Sequence, residues 1–259
     1  MRILLTNDDG VNAPGLNVLY EALKQDHEIF VVAPEHEMSG TSHGITVYQP
    51  LMVKKIKEGW FSVDGKPADC VKLAVLELIK KPLDVIISGI NPGINVGMNV
   101  HYSGTVAAAM EGIFMGIPSV AISIDPAEKP DFLFAGNFML KFLRCFKKEA
   151  RKPNIVLNIN IPGIKPDKIS GVKITRQSTV RLDECYEKIK DPRGRIYYWL
   201  GGYGFIGNND EESDVEAIKN NTISITPLSY DMTEKEPIIS ELALLLDDIK
   251  QYSDALKNP

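Results

Sequence analysis

Four short groups of residues in this 259-residue chain have the side chains and spacing that chemistry needs. They are the adjacent carboxylates Asp8 and Asp9, the hydroxyl of Ser39, the amides Asn91 and Asn95, and the run Ser103-Gly104-Thr105. Two neighbouring carboxylates repel an anionic ligand unless a hard cation stands between, and magnesium and manganese favour oxygen ligands. The same pair also suits an Asx-turn with a helix cap, in which the side chains accept nearby N–H groups. Ser39 and Asn91 add neutral oxygens that, with waters, complete a six-oxygen shell, although each alone is an ordinary turn residue.

Ser103-Gly104-Thr105 stands directly before the alanine-rich stretch Val106-Ala107-Ala108-Ala109. A helix start there leaves N–H groups pointing outward with partial positive charge, which suits a phosphate dianion. A simple N-cap with small residues for close packing is the other reading. The G-x-x-x-x-G-K-[ST] pattern of triphosphate-binding loops is absent, and the first strand is followed by an acidic turn instead of G-x-G-x-x-G.

The elements that must position these groups follow from hydrophobic periodicity. Short apolar runs at 3–6, 29–33, 85–88 and 120–124 read as strands, with helical segments at 15–24, 68–80 (Pro67 in its first turn) and 105–115 between them. This alternation is the pattern of a doubly wound, mostly parallel α/β sheet, whose ligands gather at the carboxyl ends of the strands. Asp8-Asp9, Ser39 and Asn91 each follow such a strand. Residues 51–63 read as an inserted strand pair, 131–148 as a helix, and 154–161 as a strand stopped by Pro162. The expected division is a Rossmann-like domain at 1–162 and a smaller region at 163–259. That second region holds short strands at 172–175, 195–199 and 222–226, taken as antiparallel, a polar Gly-rich stretch at 201–214, and an amphipathic helix at 236–252.

Composition narrows the classes. The hydrophobic fraction of 44% is ample for a core, while a net charge of -5 offers no footprint for gripping a nucleic-acid duplex. Cys70, Cys145 and Cys185 are odd in number and widely spaced, which reads as incidental thiols in a reducing compartment. No apolar run approaches the roughly 18 residues of a membrane span. With no leader-like segment at the start, the cytoplasm is the expected location.

The chain resembles the SurE family of stationary-phase survival proteins, which are metal-dependent nucleotidases. The resemblance is carried in order by ILLTNDDGVNAPG (3–15), VVAPEHEMSG (31–40), KPADCVKLA (66–74), SGINPGINVG (88–97) and YSGTVAAAMEG (102–112), with weaker echoes at LNINIP (157–162), ITRQS (174–178), YYWLGG (197–202) and ISITPL (223–228). It implies a Rossmann-like fold with a C-terminal region used in oligomer contacts, and phosphatase activity on nucleoside 5′- and 3′-monophosphates and on short polyphosphate. It further implies one magnesium or manganese ion per subunit, held by Asp8, Asp9, Ser39 and Asn91. Asn95, Ser103, Gly104 and Thr105 would lie at the phosphate, Asp8 would position or deprotonate the attacking water, and the subunits would form a homodimer or homotetramer. Asn99 departs from the aspartate common in the family, which removes a charge near the expected ion. His43 and His101 flank the motifs and read as loop histidines. A metal-dependent transferase using a nucleotide-sugar donor and a non-catalytic nucleotide sensor are the competing classes.

Overall fold

The computed structural model of the chain describes residues 1–126, 130–146, 155–202, 204–206 and 210–233. A nine-stranded sheet forms its centre. Its strands are β1 (Arg2–Thr6), β2 (Glu28–Pro34), β3 (Met52–Lys57), β4 (Trp60–Asp64), β5 (Val85–Pro92), β6 (Ser119–Ile124), β7 (Ile155–Ile161), β8 (Gly171–Ile174) and β13 (Thr222–Ser229). They lie side by side in the order β3-β4-β2-β1-β5-β6-β7-β13-β8. β1 pairs in parallel with β2 on one side and β5 on the other, and the parallel run continues through β6 to β7. The expected strand pair near 51–63 is the antiparallel β3–β4 hairpin, which adds to the sheet through a parallel β2–β4 pairing.

Strand alternation divides the core into two layers, because successive side chains leave opposite faces. Ile3 and Leu5 of β1 and Ile87 of β5 pack with Leu16, Leu19 and Leu23 of helix α1 (Pro14–Leu23) and with Met139 and Leu143 of helix α4 (Phe132–Cys145). Leu4, Val32 and Ile86 face the other way, onto Cys70 and Val71 of helix α2 (Pro67–Leu73) and Ala108 of helix α3 (Gly104–Phe114). The spacing of the α1 apolar residues by three and four is what lets one helix face meet the sheet. The helical stretch expected at 68–80 is α2 followed by a π-helical turn at Ala74–Leu78.

The region beyond 162 is organised differently from the antiparallel reading of its strands. Two of them, β8 and β13, pair in parallel with each other and extend the main sheet beyond β7. Periodicity marks a strand but carries no information about its partner, so their place in the sheet was not readable. The antiparallel elements are β10 (Cys185–Lys190) with β11 (Ile196–Gly201), and the short pair β9 (Arg181–Leu182) with β12 (Phe205–Ile206). A six-residue helix, α5 (Asp214–Lys219), precedes β13. The helix expected at 236–252 lies outside the described residues. Among the described residues, no helix is long and apolar enough to cross a membrane.

Candidate active site

After β1 the chain next pairs β2 on one side of it, and later β5 on the other, so the carboxyl edge between β1 and β5 is the point where the winding reverses. A cleft of about 320 Å³ opens there, lined by Asp8, Asp9, Glu37, Ser39, Gly40, residues 91–95, Asn99, Tyr102 and Ser103. The predicted ligand groups therefore meet in one cleft, except that Gly104 and Thr105 stand behind its lining. Glu37 and Tyr102 join it without having been singled out in the sequence.

The turn after β1 is closed by Asn7 and not by either aspartate. Asn7 makes the turn bond, its Nδ2 donating to Gly10 O at 2.9 Å, with Gly10 at φ +103°, a conformation glycine tolerates. Helix α1 begins at Pro14 with Ala13 as its N-cap and no side-chain cap, so neither aspartate serves it. Asp8 is 4% exposed, and Thr105 Oγ1 donates to its Oδ1 at 2.5 Å. The backbone of Thr105 also favours the ionised form of the same carboxylate. The positive end of α3 thus faces Asp8 directly. A Cβ built on Gly104 would sit 2.8 Å from Asp8 Cβ and 3.1 Å from Pro67 Cγ, so only glycine permits this approach.

Asp9 has a different environment. Its Oδ2 is buried without a hydrogen-bond partner, a costly arrangement for a carboxylate oxygen that nothing else compensates. Burial, then the charges of Asp8 and Glu37, push the Asp9 carboxyl up to about 7. Asp8 is also raised, by burial first, against the lowering effect of the Thr105 hydroxyl. Among the described residues, no Lys or Arg lines the cleft. Two crowded carboxylates with an orphaned oxygen are the environment that a hard divalent cation relieves.

Neutral oxygens complete the set. Asn91 Nδ2 donates to Gly93 O at 2.6 Å, a bond that does not use its Oδ1. It reaches the cleft because β5 shifts register between Ser88 and Asn91, so that Ile90 is fully buried while Asn91 emerges at the edge. Ser39 donates to Glu37 Oε1 at 3.0 Å and keeps its lone pairs. Its loop is tied to the acidic turn by Met38 N donating to Asp8 O at 2.7 Å. Among the described residues no set of three or more His, Cys, Asp or Glu side chains is arranged to hold an ion, so the candidate donors are two carboxylates supplemented by hydroxyl and amide oxygens.

The second predicted group is held firmly. Asn95 is buried, its N–H donating to Asn160 Oδ1 at 2.7 Å and its carbonyl accepting from Asn158 Nδ2 at 2.7 Å, while its side-chain amide donates to Ser123 Oγ at 2.9 Å. Ser103 caps α3, its Oγ accepting from Val106 N at 3.1 Å. The histidines do not line the cleft: His43 Nε2 lies 3.0 Å from Glu111 Oε2 with its ring stacked on Phe114, and His101 Nε2 lies 3.2 Å from Gln177 Nε2.

Known proteins resemble this chain over most of its length. The profile of the family described as Survival protein SurE matches residues 3–184. The 5'-nucleotidase SurE of Syntrophobacter fumaroxidans is 47% identical over 242 residues, covering 92% of this chain and 97% of that protein. The 5'-nucleotidase SurE of Syntrophus aciditrophicus is 45% identical over 250 residues, covering 95% and 94%. The solved SurE protein from Aquifex aeolicus superposes with a TM-score of 0.83 at 38% identity, covering 94% of this chain and 99% of that one. With a family profile spanning most of its length and relatives this close over nearly all of it, the chain belongs to the SurE family.

Proposed function

We propose that this chain is a divalent-cation-dependent phosphomonoesterase that hydrolyses nucleoside 5′-monophosphates to nucleoside and phosphate. The observation that carries the reading is the unpartnered, buried Oδ2 of Asp9 beside Asp8, in a cleft whose described lining has carboxylates and neutral oxygens but no Lys or Arg. Relatives named 5'-nucleotidase SurE supply the substrate class. Asp8, Asp9, Ser39 and Asn91 would hold one magnesium or manganese ion per subunit, which when bound supplies Lewis acidity toward a phosphoryl oxygen.

The chain's own residues do the rest. Asp8, fixed in direction by Thr105, orients the attacking water and accepts its proton. Ser103 and the Asn95 amide hold equatorial phosphoryl oxygens as charge redistributes in the transition state. Gly104 and Thr105 contribute through the helix start, Thr105 acting by way of Asp8. Because these contacts address the phosphoryl group and not a base, nucleoside 3′-monophosphates and short polyphosphate fall within the same proposal.

Around this core we place the protein in the cytoplasm as a homodimer or homotetramer. Its described cysteines are free thiols, suited to a reducing compartment. The β10–β11 hairpin exposes Tyr186 and Tyr198 on one face and Trp199 on the other, apolar surface suited to a second copy. An acidic net charge of -5 argues against duplex nucleic acid as a partner.

The test is phosphate release from a panel of nucleoside monophosphates with manganese, with and without a chelator. Release that the chelator abolishes is the expected result, and Asp8→Asn should lower turnover by about three orders of magnitude or more while remaining folded. A transferase would release no phosphate without an acceptor, and a sensor would bind without turnover; either result overturns the proposal.

A further inference from the structure

The cleft wall formed by residues 91–103 is held from a distant part of the chain. Gly97, in the left-handed region at φ +54°, opens a 3-10 turn at Gly97–His101 that presents Asn99 to the cleft and leads on to Tyr102 and Ser103. Both polar groups of its backbone are taken. The N–H donates to Asp214 Oδ2 at 2.9 Å, and the carbonyl accepts from Gln177 Nε2 at 3.0 Å. Gln177 Nε2 also lies 3.2 Å from His101 Nε2 at the far end of the turn.

Asp214 is fully buried, and its second oxygen bonds a different segment. Oδ1 accepts from Ser178 N at 2.9 Å and from Val215 N at 2.8 Å. Asp214 N in turn donates to Arg176 O at 2.8 Å, so the segments around 176 and 214 form one fixed piece. A carboxylate suits this position because hydrogen bonds to an ionised acceptor are roughly twice as strong as neutral ones. The mechanism proposed above makes no use of either Asp214 or Gln177.

We propose that Asp214 and Gln177 are positioning residues that set the substrate side of the cleft by clamping the Gly97 peptide from both sides. The proposal rests on the phosphomonoesterase reading. A wall group displaced by about 1 Å from a productive position loses on the order of 100-fold in rate or affinity, so a clamp remote from the chemistry still reaches the substrate. Asp8, Asp9 and Ser39 ride on the loops after β1 and β2, and Asn91 sits at the end of β5, six residues before Gly97. The clamp therefore acts on substrate binding more than on cation binding.

Asp214→Asn tests it selectively. The amide keeps an oxygen for Ser178 and Val215, but its NH2 group faces the Gly97 N–H, donor against donor. We expect KM for a nucleoside monophosphate to rise about tenfold, with kcat falling as well because Asn95 and Ser103 ride on the same wall, and the manganese half-saturation unchanged. Loss of folded protein would instead lower kcat and leave KM alone. Gln177→Ala, which removes a partly exposed side chain, should shift KM in the same direction and serves if Asp214→Asn does not fold. Hydrogen exchange across residues 91–103 reads the clamp without substrate and should quicken in both variants. Wild-type KM and wild-type exchange in a folded variant overturn the inference. A wild-type enzyme that releases no phosphate defeats the phosphomonoesterase reading instead, a distinct outcome.

Discussion

Asn7, Asp8 and Asp9 are consecutive, yet each polar side chain has a separate destination. Asn7 closes the turn, Asp8 is gripped by the start of α3, and Asp9, which lines the cleft, is left with an orphaned buried oxygen. The residue types alone left capping and ligation open, because either use places an oxygen near a strand end. Glu37 was invisible for a related reason. Its only signal was an acid two positions before Ser39, and burial of Asp9 nearby is what makes its charge matter. Gly104 is the residue most sensitive to this crowding. Gly104→Ala should cost about 1–3 kcal/mol of stability, since the new methyl meets Asp8 and Pro67 inside contact distance. It should also lower kcat/KM beyond what the folded fraction explains, because Asp8 is the group displaced. Thermal unfolding with steady-state kinetics on the same sample checks both; an alanine variant with unchanged kinetics means the Asp8 approach is not critical.

At the scale of elements, α3 is the piece on which the others converge. Its start holds Asp8, its alanines pack close on the sheet, and near its end Glu111 meets two side chains from different elements. Glu111 Oε2 lies 3.0 Å from His43 Nε2 of the loop after β2, and Oε1 lies 2.8 Å from Lys72 Nζ of α2. Burial raises the Glu111 carboxyl, but the His43 and Lys72 contacts outweigh it, so the net shift is downward. A depressed carboxylate stabilises the fold above its unfolded value, and that stability disappears as pH falls through the folded value. Glu111→Gln should therefore destabilise by about 1–2 kcal/mol near neutral pH, discounted because His43 and Lys72 remain partly exposed. The difference should narrow as pH falls below the ordinary glutamate range and close once the wild-type carboxyl, held below that range, protonates. Denaturant unfolding of both proteins across this range is the measurement, and a gap that persists in acid assigns the loss to packing instead. The helix and its apolar face were readable from sequence; that Glu111 joins three elements was not, since 68 residues separate it from His43.

For the whole molecule, the antiparallel β10–β11 hairpin is the part least explained by a single copy. It exposes Tyr198 at 60% and Trp199 at 65%, and a two-stranded hairpin alone is marginal in water. If it pairs with another subunit, replacing both residues with serine should reduce the mass seen by sedimentation to that of a smaller species, with unchanged unfolding of the main sheet. An unaltered oligomer places the contact elsewhere. Here too periodicity marked strands, while their partners had to come from the fold.

By itself the sequence determined the parallel α/β core and that Asp8, Asp9, Ser39 and Asn91 follow its strands at the carboxyl edge, because local periodicity and turn chemistry are properties of short segments. The tertiary structure decided which atoms of those residues remain free. It turned Thr105 onto Asp8, left Asp9 Oδ2 without a partner, brought Glu37 into the cleft and set Asp214 against Gly97. Each of these depends on contacts between segments far apart in the chain, where burial strengthens electrostatic effects that no local pattern encodes.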